Sequence, residues 1–255
     1  VDAMNNTQME FRVAGELDIE LGRTIDIYAE GVTLADAPWS GDEPMLSIGA
    51  IRLSVRTASV FSGPLVILDA EVRDADVRIA TDDAGRNNWN LGEEDDAEPA
   101  RERELSPPAL LERMHAENLA IEILDPTLEE PIEITVRTAD HDVVDDRVLS
   151  RIVGSVNGEP LEFDNDLGPR TNFWQARPVD FVLHGRLGEV ALQAEGQIDD
   201  LLAPERPVVT AQADGPSVEY LLDLLNLPPL ASGPLGLELH FEPLPERVKI
   251  RADGT

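Results

Sequence analysis

A mainly β chain with a few short helices is the fold class this sequence predicts, and three observations predict it. Long stretches alternate apolar and charged residues with period two, the mark of a strand with one dry face and one wet face. Only 4% of residues are aromatic although 42% are hydrophobic, so the apolar content is chiefly Leu, Val, Ile and Ala, which suits thin aliphatic sheets. Glycines and prolines punctuate these stretches at short intervals and mark turns between strands.

Residues 11–21 (FRVAGELDIEL) open the pattern. Phe11, Val13, Leu17, Ile19 and Leu21 share one face with Gly15, while Arg12, Ala14, Glu16, Asp18 and Glu20 take the other. Gly22 and Arg23 turn the chain, and Ile25, Ile27 and Ala29 resume the alternation. The phase changes at Gly31, after which Val32 and Leu34 are the apolar pair, and a phase change at glycine predicts a bulge or a bend. A loop at 37–40 (APWS) leads to a strand over 46–56, with Ile51, Leu53 and Val55 in step. Residues 57–62 are expected to form one helical turn, and 64–81 two strand-like runs, 65–72 and 75–80, the second carrying Val77 and Ile79.

The charge run GEEDDAEPARERE has no periodicity and predicts a solvated loop. It divides the chain into a β segment at 1–92, an acidic loop at 93–105 and a continuing β segment with two short helices at 106–255. Ser106 before Pro107 and Pro108 predicts a helix start, with Leu110, Leu111 and Met114 as its apolar stripe. Strands are expected again at 119–124, 132–137, 151–157, 178–184, 187–197 and 207–213. A second helix at 217–226 places Val218, Leu221, Leu222 and Leu225 on one side and stops at Pro228 and Pro229. Two strands, 235–241 and 247–252, bring the expected total to about a dozen.

The formal net charge of −31 repels nucleic-acid phosphates and gives little affinity for anionic membrane surfaces, so no nucleic-acid partner is expected. Solubility is the plain reading of such a surface. Cysteine is absent, which excludes disulfides and thiolate metal sites. No apolar run is long enough to span a bilayer.

Signs of chemistry are few. TDDAGRNNWNL, residues 81–91, crowds acidic and amide oxygens around Gly85 and raises the question of a calcium loop. Ala84 and Arg86 stand where the third and fifth oxygen ligands belong, and Asn87 where the sharp-turn glycine belongs, so calcium is not expected there. His115, His141, His184 and His240 have no ligand-like spacing. His141 lies in the acidic run DHDVVDD, which invites at most a stray cation. No nucleophile elbow and no phosphate loop is present. No catalytic residue, metal or cofactor is expected, and the chain is not read as an enzyme. What remains is collective: strands with one aliphatic face and a charged reverse. Two such faces can pack as a sandwich, or one curved sheet can line a groove for apolar chains. Periodicity leaves both open, and the rarity of large exposed apolar surfaces weighs toward the sandwich.

Several landmarks together resemble the AsmA family of bacterial envelope proteins, in the wider group that includes TamB. GELDIELGRTIDIYAEGVTLADAPWS is similar to that family's opening strand pair and "n-P-W" turn, and MLSIGAIRLSVRTASVFSGPLVILDAEVRDADVRI to its strand, helical turn and strand pair. TDDAGRNNWNL matches its "d-G-x-x-N-W" turn through Gly85, Asn88 and Trp89, and GPSVEYLLDLLNLPPLASGPLGLELHF its leucine-helix segment. The resemblance covers most of the chain.

It implies a curved antiparallel sheet forming an elongated, taco-like groove, in the periplasm of a Gram-negative bacterium. An inner-membrane anchor and the family's C-terminal region are expected outside these residues. The implied function is shielding phospholipid acyl chains in inter-membrane lipid transport and outer-membrane biogenesis, with further envelope proteins as partners. The alternative is a non-transporting envelope scaffold with a fully packed β core. The groove residues expected are Phe11, Val13, Leu17, Ile19, Leu21, Ile25, Ile27, Ile51, Leu53, Val55, Val77 and Ile79. In the turn, Gly85 is expected to take a positive φ, Asn87 or Asn88 to bond backbone groups, and Trp89 to seal an edge of the core.

Overall fold

The alternating stretches become strands of a single sheet. The computed structural model describes residues 11–41, 43–62, 64–89, 109–128, 130–174, 177–198, 208–228, 232–244 and 247–254. Within them lie β1 (Phe11–Val13), β2 (Leu17–Leu21), β3 (Thr24–Leu34), β4 (Leu46–Arg56), β5 (Leu65–Ala80), β6 (Ala109–Leu111) and β7 (Arg113–Leu124). They continue as β8 (Ile132–Val144), β9 (Arg147–Val156), β10 (Glu159–Gly168), β11 (Val179–Leu187), β12 (Val190–Ile198), β13 (Val208–Gly215), β14 (Leu235–Leu244) and β15 (Arg247–Gly254).

All fifteen strands join one curved sheet that does not close. β3, β4, β5 and β7 to β15 follow one another across it in sequence order, β1 and β2 share the outer side of β3, and β6 lies beside β5. Neighbours are antiparallel except that β5 runs parallel to both β6 and β7. The strands on either side of residues 93–105 therefore belong to the same sheet, and the acidic loop itself lies outside the described residues.

Three expectations are corrected. The helix expected after Ser106 does not form: Ala109–Leu111 and Arg113–Leu124 are strands, and Ser106 lies outside the described residues. From Arg113 the residues alternate charged and apolar (Arg113, Met114, His115, Ala116, Glu117), and the edge of β5 supplies backbone partners. Against that, Leu110, Leu111 and Met114 offer only a narrow helical stripe. The two runs expected in 64–81 are one strand of 16 residues. β10 was not expected, because Asn165 interrupts the apolar series Leu161, Phe163 and Leu167.

The helices are short. α1 (Thr57–Phe61) joins β4 to β5 as expected, and α2 (Val218–Leu224) joins β13 to β14. Ser217 caps α2, its Oγ accepting the Tyr220 backbone N–H at 3.1 Å. No helix among the described residues is long and apolar enough to cross a membrane.

The phase change at Gly31 proves to be one point of a line. Apolar residues that elsewhere recur every second position are three apart at Ala29–Val32, Ile48–Ile51, Val72–Ala75, Ala116–Leu119 and Val136–Ala139. All of these are cross-strand neighbours. The extra residues are Gly31, Gly49, Asp74, Asn118 and Arg137. Gly31, Asp74 and Asn118 have φ of +60°, +54° and +56°, the left-handed region where Gly, Asp and Asn are least strained. Asn118 Nδ2 donates to Asp74 Oδ1 at 3.2 Å. A Cβ at Gly49 would come within 3.0 Å of the Asp74 Cβ, so the backbones approach closely here. Because five adjacent strands slip together, the same face of the sheet stays apolar on both sides of the line. The slip ends at β9, where Val136 and Thr138 face the consecutive residues Gly154 and Val153.

Candidate functional site

The register builds the site row by row. Leu17, Ala29, Ile51, Val72, Ala116, Ala139, Ile152 and Phe163 face one another across eight strands. Phe11, Leu34, Leu46, Val77, Ile121, Ile134 and Val156 make a second row. Ile19–Ile27–Leu53 and Leu21–Ile25–Val55 add two more, and Val13 and Ile79 fall in step opposite Val32 and Ile123. All twelve expected groove residues thus lie on one face, and that face continues to β14 through Leu187, Val190, Leu192, Ala213 and Leu237.

How this face is covered changes along the sheet. At the β2 edge Leu17, Ile19 and Leu21 are 56%, 52% and 80% exposed, and Phe11 on β1 is 65% exposed. Inward, Ile25, Ile27, Ile51, Leu53, Val77 and Ile79 are half-buried and Val55 is buried. The cluster in this region, Ala29, Val32, Ile48 and Ala75 with Val13, Leu46, Ile51, Val72 and Leu119, comes wholly from neighbouring strands. Two of its four buried members, Ala29 and Ala75, are alanines.

Farther along, α2 lies on the apolar face. Leu224, 6% exposed, joins Val156, Leu161 and Leu187 in a buried cluster, against which Tyr220, Leu221 and Leu225 pack from the helix side and Ile132, Ile134, Ile152, Phe163 and Leu192 from the sheet. Polar bonds at the rim hold the helix: Asn157 Nδ2 donates to the Leu224 carbonyl at 2.7 Å and Asn226 Nδ2 to that of Pro131 at 2.8 Å. Neither cluster joins the two regions to each other.

One polar row interrupts the aliphatic face. His141, Ser150 and Asn165 are cross-strand neighbours, with Ser150 Oγ 3.3 Å from His141 Nδ1, and the buried Asn165 Oδ1 has no hydrogen-bond partner. The sequence reading missed this row because β10 was not recognised, although period two from Val143 to His141 already turns His141 inward.

The opposite face is charged. Arg52 pairs with Glu71 at 3.4 Å, Arg73 lies 3.8 Å from Glu71 and 3.9 Å from Glu117, and Arg151 reaches Asp164 at 3.1 Å. His115 stands between Asp140 at 2.6 Å and Glu117 at 3.1 Å. The hydrogen bond to Asp140, and then that to Glu117, raise its pKa above the ordinary 6.5. Exposed pairs of this kind contribute about 0–1 kcal/mol each, so they organise the outer surface more than they stabilise the fold.

The turn at 81–89 closes one end. Asp82 accepts the backbone N–H of Ala84 and of Arg86 at 2.9 and 2.8 Å and binds the Arg86 guanidinium at 2.5 Å. These bonds, the Arg86 side chain first, lower its pKa below 3.8. Its oxygens are committed to the turn, and Gly85 has φ +77°.

Asn88, not Trp89, is the residue sealed inside. Asn88 is 1% exposed and Trp89 47%. The Asn88 amide accepts from the Ala80 N–H at 2.8 Å and donates to the Arg78 carbonyl at 2.8 Å and to Asp36 at 3.0 Å. A buried site that must satisfy three backbone and carboxylate partners selects an amide over an indole, which can only donate. The tryptophan that does engage the turn is Trp39, whose ring lies 5.2 Å from the Arg86 guanidinium.

No group of three metal-ligating side chains occurs among the described residues. What the arrangement can do is remove hydrocarbon from water. No protein-family model matches the sequence, and no curated protein matches it.

Proposed function

We propose that this chain is a groove segment of an AsmA-like, bridge-type envelope protein that shields phospholipid acyl chains while they pass between membranes. One observation carries the reading: over β1 to β7 the apolar face of a curved, unclosed sheet bears half-exposed aliphatic side chains and no covering helix among the described residues. Each methylene moved from water onto such a face gains about 0.8 kcal/mol, so an acyl chain is held without a polar site. The charged reverse keeps the trough soluble and away from anionic lipid surfaces. In this reading the protein works in the periplasm, is tied to the inner membrane by an anchor outside these residues, and serves outer-membrane biogenesis without catalysing a reaction.

Mass spectrometry of the purified protein tests this. Bound phospholipid is expected, and it should be lost when Leu17 or Leu21 is replaced by Asp in a variant that keeps its circular dichroism. A protein that never carries lipid, or a folded variant that keeps it, refutes the proposal. The packed cluster beneath α2 favours a second reading, an envelope scaffold that docks partners and carries nothing. Failure to find lipid would select it.

A further inference from the structure

The polar row on β8 to β10 adds nothing to the hold on hydrocarbon, and its surroundings make it an island. Along the row, Met114 and Ala70 follow on one side of His141, and Leu183 and Ala194 on the far side of Asn165. The rows on its two flanks are Ala139, Ile152 and Phe163, and Val143, Val148 and Leu167. Three neighbouring strands about 4.8 Å apart make the island about 10 Å long. His141, Ser150 and Asn165 are each half-buried. Whichever way an acyl chain crosses them, it meets polar atoms with hydrocarbon contacts before and after.

The bonds within the island leave one side chain over. His141 Nε2 lies 3.4 Å from the Leu111 carbonyl, which only accepts, so in a neutral imidazole Nε2 carries the hydrogen and Nδ1 accepts from the Ser150 hydroxyl at 3.3 Å. Asn165 takes no part. Its amide makes no side-chain hydrogen bond among the described residues, and its Oδ1 is buried. A buried acceptor without a donor is costly, so it favours a ligand that supplies one.

The chemistry of that ligand group follows by elimination. Carboxylates and phosphates only accept, and the island holds no Lys or Arg to receive them. It holds no carboxylate either, so a cationic group would find no counter-charge. A hydroxyl is neutral, donates to Asn165 Oδ1 and keeps its own oxygen for a donor such as the amide Nδ2.

We propose that the His141–Ser150–Asn165 island binds a hydroxyl carried part-way along an acyl chain, so that the trough prefers hydroxylated chains to plain ones. The inference rests on the reading of the trough as an acyl-chain site. Asn165 supplies the preference, because a hydroxyl laid on an aliphatic face loses its water partners and gains none.

A competition tests it. Phosphatidylcholine vesicles present equal amounts of two lysophosphatidylcholines, one with a stearoyl chain and one whose stearoyl chain carries a mid-chain hydroxyl. The whole protein is separated from the vesicles, and mass spectrometry reads the ratio of the two lipids it has taken. Comparison with Asn165→Leu cancels the difference in how firmly the vesicles retain each lipid. The parent is expected to enrich the hydroxylated lipid about threefold or more over the variant, the worth of one net neutral hydrogen bond. Circular dichroism checks the fold, and Asn165→Ala, which removes the same oxygen, replaces a variant that does not fold. Equal ratios for parent and folded variant overturn the island's role and leave the trough an acyl-chain site. Recovery of neither lipid with the parent overturns the acyl-chain reading and this inference with it.

Discussion

The same apolar face is finished in two ways. Over β1 to β7 it rises from small residues such as Ala29 and Ala75 to the exposed Leu17, Ile19 and Leu21, with no helix above it among the described residues. Over β8 to β12 it carries larger residues, Ile132, Leu161, Phe163 and Leu187, and α2 lies on them. Composition of the face does not separate a conduit from a core; the cover does. The open region leaves aliphatic side chains partly exposed, and the covered region shows what such a face looks like once apolar side chains occupy it.

The sharpest way to break the comparison is to place one substitution in both regions. Leu224→Asp puts a carboxylate into the cluster under α2 and is expected to cost about 3–5 kcal/mol, read as a lower urea midpoint. Ile19→Asp, at an exposed edge position, is expected to cost under about 1 kcal/mol in the same measurement. Equal losses would mean that the edge is as covered as the helix site.

Asn88→Leu comes next, at about 2–3 kcal/mol by thermal unfolding, because it strands the Ala80 N–H and the Arg78 carbonyl in a buried place. Trp89→Ala should cost well under half as much. The reverse order would restore tryptophan as the seal.

The smallest effects are electrostatic. His115, on β7 at the border of the two regions, has a raised pKa, so its contribution is complete below 6.5 and fades as pH rises through the higher folded value. His115→Gln should flatten that part of the stability profile, including any influence of Arg113, Glu71, Glu117 and Asp140 acting through the ring. Asp82 has a lowered pKa, so its contribution is present above 3.8 and is lost as pH falls through the lower folded value. Asp82→Asn should remove only that acid limb.

Much of the fold was legible because strand periodicity is local. β4 was read to its ends, and the helices at 57 and 217 followed from local propensity and a serine cap. The helix after Ser106 failed because Leu110 and Leu111 pair beside β5, a tertiary partner that no local pattern announces. β5 was read as two runs because its alternation slips at Asp74, and a slip shared with four neighbours looks, in one strand alone, like an ending.

The trough residues were legible as a face, but the cover was not. Of the expected stripe of α2, Val218, Leu221, Leu222 and Leu225, the residues Leu221 and Leu225 pack on the cluster, but its buried member, Leu224, was not expected. Which side a short, leucine-rich helix turns inward is set by the sheet it meets. The seal at the turn was misassigned for a similar reason: size suggested Trp89, while the partners at hand required Asn88.

The shared slip at Gly31, Gly49, Asp74, Asn118 and Arg137 also constrains how such a protein can change over generations. Losing Asn118 alone would leave Ala116, Leu119, Ile121 and Ile123 on one face in plain alternation, but β7 would then run one residue short beside β5 and β8, which keep their extra residues Asp74 and Arg137. A one-codon deletion anywhere on the line is therefore harmful unless the flanking strands lose a codon too. Its sequence length is inherited as a block.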